Sequence, residues 1–300
     1  MFGGDAELIS YIKRAVGYSL TGEMSEQVFF LLNGSGSNGK STFLEILALI
    51  FGDYQNCADI ETFIRQNQRH VTQDLATLKG ARLVSSTEPQ TGKYWNEDRI
   101  KKITGEDRLK VRYLYGREFE DTPTYKLWFA TNAKPRFNAG FAFTRRIRLV
   151  QFSQTFSVEK GNLDTHLKEK LAGELAGILN WAVEGAIEWY KHGLGNCKSV
   201  ETNSASYARE QDILLDFIEE KIVRMHGKKE KEQSIYSAYS TWCQLNGINH
   251  PLSKKEMMRE FEARGFERYK PGNVMTIKNI ELVEDRHVQH NIDDNKKEND

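Results

Sequence analysis

The residues Gly34, Ser35, Gly36, Ser37, Asn38, Gly39, Lys40 and Ser41, followed by Thr42, spell G-x-x-x-x-G-K-S-T. The run stands between a short apolar, β-forming stretch at 28–32 and a helically periodic stretch at 40–51 that Gly52 closes. Strand, glycine-rich loop and helix in that order form the context in which this pattern binds phosphate. The glycines let backbone N–H groups and the helix N-terminus point at an anion. Lys40 is then placed to reach the β- and γ-phosphates, and Ser41 to hold a magnesium ion. A plain glycine turn before a helix is the alternative, and the flanking elements disfavour it. The expected nucleotide cradle is therefore Gly34 to Thr42, with ATP and Mg²⁺ as its ligands.

Phosphate binding alone does not separate kinase, GTPase, transporter and motor, so the rest of the chain must. Apolar runs at 81–86, 125–131 and 147–152 read as further buried strands with helical segments between them, which predicts a mostly parallel α/β sheet. Glu88 directly follows the first of these runs, where an acid can hold magnesium or polarise water. Asn132 ends the second, where a polar tip can meet a γ-phosphate, although Asn also simply suits turns. Arg145 and Arg146 lead into the third. Paired arginines suit a transferring phosphoryl group, and equally a solvated basic cluster.

Between the second and third strands, residues 109–119 alternate apolar and basic and turn at Gly116. The pattern predicts a hairpin that carries Lys110, Arg112 and Arg117. Basic residues interleaved with tyrosines suit a single-stranded DNA backbone with bases stacking nearby; an amphipathic hairpin packed on the sheet would have the same pattern.

Composition narrows the class. With 42 basic and 42 acidic residues the formal charge is zero, which argues against coating nucleic acid by bulk charge. Cys57, Cys197 and Cys243 stand far apart with no histidine at metal-ligand spacing, so neither a disulfide framework nor a zinc site is expected, and a reducing cytosol fits. No apolar run approaches the roughly 18 residues of a membrane span, and the N-terminus lacks a signal peptide's pattern, so a cytoplasmic protein without membrane partners is expected.

Toward the ends, residues 5–16 show helical spacing with Gly17 as the expected stop, giving a helical lead-in at 1–27. Residues 195–206, rich in Gly, Asn, Ser and Thr, read as a loop or linker. Beyond 211, helices are expected at 212–225, 234–245 and 254–264, then a strand pair at 266–269 and 274–283 around a Pro-Gly-Asn turn. Three helices and a terminal hairpin predict a small α+β winged-helix domain at 211–285. The polar, charged stretch at 286–300 reads as a disordered tail.

Taken in order, these motifs resemble the superfamily 3 helicases within the AAA+ ATPases. The match is to the phage and plasmid primase-helicase branch shared with poxvirus and other large-virus proteins. The resemblance runs through Gly17-Tyr18-Ser19-Leu20-Thr21-Gly22, Asn38-Gly39-Lys40-Ser41-Thr42, Arg82-Leu83-Val84-Ser85-Ser86-Thr87-Glu88 and Ile100-Lys101-Lys102-Ile103-Thr104-Gly105-Glu106-Asp107. It continues in Leu127-Trp128-Phe129-Ala130-Thr131-Asn132-Ala133-Lys134-Pro135 and Arg145-Arg146-Ile147-Arg148, then in residues 174–181 and 236–243.

The resemblance implies an AAA+ ATPase domain at 28–195 and a linker at 196–210. It gives Glu88 the Walker B role, Asn132 the sensor role, and Arg146 the finger that reaches a neighbouring subunit, with Arg145 second. The hairpin around Arg117 becomes the DNA-gripping loop of a central channel. Thr87 stands where relatives carry a second acid, which leaves Glu88 with two tasks. Also implied are 3′ to 5′ travel on single-stranded and forked DNA, a homo-oligomer, specifically a hexamer, and a primase or other replication protein as partner. Two other functions remain: an initiator or loader that does not unwind processively, and a winged-helix DNA-binding regulator whose assembly ATP controls.

Overall fold

The computed structural model describes residues 1–65, 73–87, 92–138, 140–248 and 251–283. The chain divides into two compact units, Met1–Gln211 and Asp212–Asp300. In chain order the first unit contains α1 (Ala6–Leu20), β1 (Phe29–Asn33), α2 (Lys40–Phe51), β2 (Gln55–Cys57), α3 (Gln73–Ala76), β3 (Leu83–Thr87), α4 (Glu97–Ile103), β4 (Leu109–Arg112), β5 (Glu118–Asp121) and β6 (Lys126–Thr131). It ends with α5 (Phe141–Thr144), β7 (Ile147–Gln151), α6 (Leu167–Gly173), α7 (Leu175–His192) and α8 (Lys198–Glu210).

Five strands form one sheet in the order β2-β3-β6-β1-β7, every neighbouring pair parallel. Most residues of β1, β3, β6 and β7 are buried because helices cover both faces of the sheet. Successive side chains point to opposite faces, so Phe30 and Leu32 of β1 join the cluster under α1, α2 and α7, while Phe29 and Leu31 join the cluster on the other face. Trp128 and Phe129 of β6 divide in the same way. The short edge strand β2 has no apolar signature, and its pairing with β3 defines it.

Two expectations for this unit are corrected. Helix α1 starts on Asp5, whose side chain accepts from the Leu8 N–H at 3.0 Å, but it does not stop at Gly17 and runs on to Leu20. Gly17 and Gly185 instead let α1 and α7 meet: a Cβ on Gly17 would lie 2.0 Å from Ala186 N, and one on Gly185 2.1 Å from Lys13 O. So α1 is built into the core of the first unit rather than leading up to it.

The expected linker at 196–210 is also wrong, since α8 occupies most of it. Ser204 Oγ of α8 accepts from the Leu149 N–H of β7 at 2.9 Å, and the buried Tyr207 hydroxyl donates to the Pro135 carbonyl and accepts from Trp95 Nε1 at 3.1 Å. The polar composition concealed a helix whose stability comes from these contacts.

The second unit contains α9 (Ile213–Lys221), β8 (Ile222–Lys231), α10 (Glu232–Leu245), α11 (Lys254–Ala263), β9 (Arg268–Tyr269) and β10 (Thr276–Leu282). Its sheet is antiparallel in the order β8-β10-β9. The helix expected at 212–225 ends at Lys221, because from Ile222 onward the chain pairs with β10 instead. Phe217, Tyr239, Met257, Phe261 and Ile277 are buried in its core. Ser253 and Glu256 form a reciprocal capping box at the start of α11. The tail expected at 286–300 lies outside the described residues.

Candidate active site

The loop between β1 and α2 takes a path that few residue types tolerate. Gly36, Ser37 and Gly39 have φ of 103°, 47° and 88°, in the left-handed region. Gly39 is the residue before α2 and has no side chain to cap it, so the first N–H groups of the helix face the space beyond the loop. Gly34 is required for a different reason. A Cβ there would lie 2.0 Å from Asn38 Nδ2, so only glycine lets the buried Asn38 amide fold under the loop.

This loop lines a cavity of about 330 Å³ together with Ser41 and Thr42, Thr87 from the end of β3, and Ala130, Thr131 and Asn132 from the end of β6. That volume lies within the range of about 300–1,000 Å³ common to small-molecule sites. Lys40 is buried at the cavity floor, its ammonium donating to Gly34 O at 2.7 Å, Asn38 Oδ1 at 3.0 Å and Asn132 Oδ1 at 2.9 Å. The last of these joins two sequence-predicted residues that are far apart in the chain. Parallel pairing of β1 with β6 makes it possible, because it brings the C-terminal ends of both strands to one edge, where Asn33 Nδ2 and Gly34 N both donate to Thr131 O.

The donor set fits a nucleotide triphosphate. Uncapped helix N–H groups and an Asn38 Nδ2 buried without a partner can meet an anion's oxygens, and the buried Lys40 ammonium, held by Gly34 O, Asn38 Oδ1 and Asn132 Oδ1, adds positive charge beside them. Ser41, at the first turn of α2, offers a hydroxyl for magnesium, which needs few protein ligands when phosphates and water supply the rest. Glu88, which follows Thr87, lies outside the described residues.

Arg145 and Arg146 stand at the opposite edge of the sheet. Parallel register sets Phe29, the first residue of β1, against Ile147, the first of β7. The two arginines are thus a full strand, roughly 13–16 Å at about 3.3 Å per residue, from the loop that follows Asn33. The structure separates the pair. The Arg146 guanidinium is buried, donating through Nε to Thr104 Oγ1 at 3.1 Å, through Nη1 to Ala142 O and through Nη2 to Gln27 Oε1 at 3.5 Å. Burial, then the neighbouring Arg145 charge, lowers its pKa. Arg145 is exposed, its Nη2 donating to Gln27 Oε1 at 2.6 Å. Sequence reasoning missed Gln27, a non-glycine residue at φ 52° whose amide meets both arginines, and nothing in its neighbourhood signals it.

The hairpin at 109–121 forms from β4 and β5, with Lys110 opposite Glu120 and Arg112 opposite Glu118. Val111 is buried and anchors it to the sheet's second core, while Lys110, Arg112 and Arg117 are exposed. Sequence reading missed the acidic partners by weighing one strand without its neighbour.

Comparison with known proteins finds similarity to a protein family and to two viral proteins. Residues 32–146, from the end of β1 through Arg146, match a family described as "Family of unknown function (DUF5906)". The chain is 28% identical over 280 residues to "Putative helicase L207/L206" of Acanthamoeba polyphaga mimivirus, covering 87% of this chain and 29% of that protein. It is 24% identical over 257 residues to "Putative helicase 022R" of Frog virus 3, covering 79% of this chain and 26% of that protein. The chain thus spans under a third of the length of these relatives. Its fold is shared with the apo C-terminal region of NrS-1, at TM-score 0.57 and 11% identity over 93% of this chain and 73% of that one.

Among the described residues no group of three or more His, Cys, Asp or Glu side chains is placed to hold a metal ion, and no helix is long and apolar enough to cross a membrane. Cys57 is exposed, Cys197 and Cys243 are buried, and all three are free thiols.

Proposed function

We propose that this chain is the ATP-driven motor of a superfamily 3 DNA helicase, acting as a homohexameric ring on single-stranded and forked DNA during replication of a viral or other mobile genome. The observation that carries this reading is the Lys40–Asn132 hydrogen bond, which sets a phosphate-binding lysine beside a polar strand tip at the edge of a parallel sheet. Similarity to viral proteins named as helicases supports it.

ATP with Mg²⁺ would supply the phosphoanhydride whose hydrolysis drives movement. Lys40 and the N–H groups of residues 34–42 bind and orient the phosphates, and Ser41 with Glu88 holds the metal. Asn132 keeps Lys40 in place and meets the γ-phosphate side of the cavity, and Glu88 orients the attacking water. Arg145, not Arg146, serves the neighbouring subunit. Its side chain is exposed and a strand's length from its own cavity, whereas Arg146 is committed to its own chain.

The β4–β5 hairpin meets DNA in the channel, and travel is 3′ to 5′. The second unit, with three helices and the sheet β8-β10-β9, is read as a winged helix that contacts duplex DNA or a replication partner such as a primase.

Strand separation on forked DNA with ATP, measured beside particle size with and without nucleotide, tests the proposal. Unwinding by a nucleotide-stabilised hexamer is expected. ATPase stimulated by DNA without strand separation would turn the assignment to an initiator or loader, and absence of ATPase would remove both.

A further inference from the structure

The tip of the β4–β5 hairpin is built from apolar side chains that the fold does not bury. Tyr113, Leu114 and Tyr115 are 48%, 60% and 99% exposed. Tyr115 also has φ of 59°, a left-handed conformation that bulky side chains rarely adopt. If turning the chain were the only need, glycine would serve at this position. The adjacent glycine stands elsewhere: Gly116 donates its N–H to Tyr113 O at 2.8 Å and lies so close that a Cβ would sit 3.2 Å from that oxygen. The turn therefore closes on Gly116 while the strained position carries an aromatic ring aimed at solvent. Strain kept where it does not serve the core points to function.

The tip is also braced. Tyr113 stacks on Phe119 with centroids 5.3 Å apart and planes 29° apart. Lys79 Nζ lies 4.7 Å from the Phe119 ring centre, and Phe119 pairs across the ladder with the buried Val111. A ring held forward on a supported stem suits a flat partner.

Charge argues the same way. Between Arg108 and Asp121 the hairpin carries four basic and three acidic residues. Lys110 faces Glu120, Arg112 faces Glu118, and Arg108 is 3.4 Å from Glu120. A strand of phosphates meets little net charge here, so counterion release supplies little affinity. Base–aromatic stacking needs no charge and suits every base.

We propose that Tyr115 stacks on the bases of single-stranded DNA and is the principal affinity contact of the hairpin, ahead of Lys110, Arg112 and Arg117. This rests on the helicase reading above.

The test compares binding of labelled oligo(dT) with that of an abasic strand of equal length, which keeps the phosphates and lacks the bases. Wild-type protein is expected to prefer oligo(dT). Tyr115→Ala should weaken oligo(dT) binding by roughly 5- to 150-fold, leave abasic binding and the salt dependence unchanged, and so erase the preference. Tyr115→Phe, which keeps the ring, should bind as wild type, and thermal melting of each variant reports that it is folded. If wild type binds neither strand, both the DNA-binding reading and this inference fall. If wild type prefers oligo(dT) and Tyr115→Ala keeps that preference, or if Tyr115→Phe loses it as fully as Tyr115→Ala, the stacking role alone falls.

Discussion

The Lys40 ammonium donates a 2.9 Å hydrogen bond to Asn132 Oδ1, so the lysine of the glycine-rich loop and the tip of the neighbouring strand act as one unit. Lys40→Ala is expected to abolish hydrolysis and weaken nucleotide binding, because it removes the cation facing the phosphates. Asn132→Ala should keep binding but slow turnover by about 10²-fold or more, the scale of losing one preorganised polar contact at a reacting centre. Steady-state ATPase beside fluorescent-nucleotide titration separates the two, and unimpaired turnover in Asn132→Ala would remove its role.

Arg145 and Arg146 should behave differently although they are adjacent. Arg145→Ala is expected to lower ATPase by about 10³- to 10⁵-fold, the range known for arginines supplied to a neighbour's phosphates. Mixing it with Lys40→Ala subunits should restore part of the activity, since each lacks what the other keeps. Arg146→Ala should chiefly destabilise the fold by about 1–3 kcal/mol, because Thr104 and the Ala142 carbonyl lose their buried donor. A mixture that co-assembles yet stays inactive, or an Arg145→Ala protein of normal activity, would count against a role across the interface.

Lys126 makes stability depend on pH. It is fully buried at the start of β6, donating to Thr21 O at 2.5 Å with its ammonium 4.5 Å from the Tyr18 ring centre. Burial, then the Arg82 charge, brings its pKa down to about 7, with Glu23 opposing. An unfolded lysine titrates near about 10.4. Below pH 7 both states hold the proton. Between about 7 and 10 the unfolded state holds more, so stability from this group rises with pH across that window. Relative to Lys126→Met, the wild type should therefore gain several kcal/mol between pH 7 and 10, at about 1.4 kcal/mol per unit. Denaturant unfolding at a series of pH values reads this gap, and a constant difference would contradict the low pKa.

The crossing of α1 and α7 tolerates no side chain. Gly17→Ala or Gly185→Ala forces a methyl group into backbone of the other helix and should cost at least about 1–3 kcal/mol. Gly177, on the same α7, offers the contrast, since a Cβ added there would meet nothing within 4 Å. Gly177→Ala should stabilise by about 0.5–1 kcal/mol through lower backbone entropy in the unfolded chain. Melting curves that rank the three substitutions otherwise would displace the close-contact explanation.

What the sequence determined was local. The glycine-rich loop with its lysine, the four long buried strands and the alternating hairpin are written in residue type and spacing over a few positions, because left-handed φ values and two-sided burial each demand particular side chains. The meeting of Lys40 with Asn132, the closeness of Gly17 to Gly185 and the opposing charges of the hairpin follow from pairing between segments far apart in the chain. The same is true of α8, whose polar residues carry no helical signal without β7 and Trp95 beside them, and of β8, a strand only because β10 lies next to it. Only tertiary structure could decide that Arg146 turns inward while Arg145 stays exposed. Adjacent residues of identical chemistry differ solely in which neighbours the folded chain brings to them.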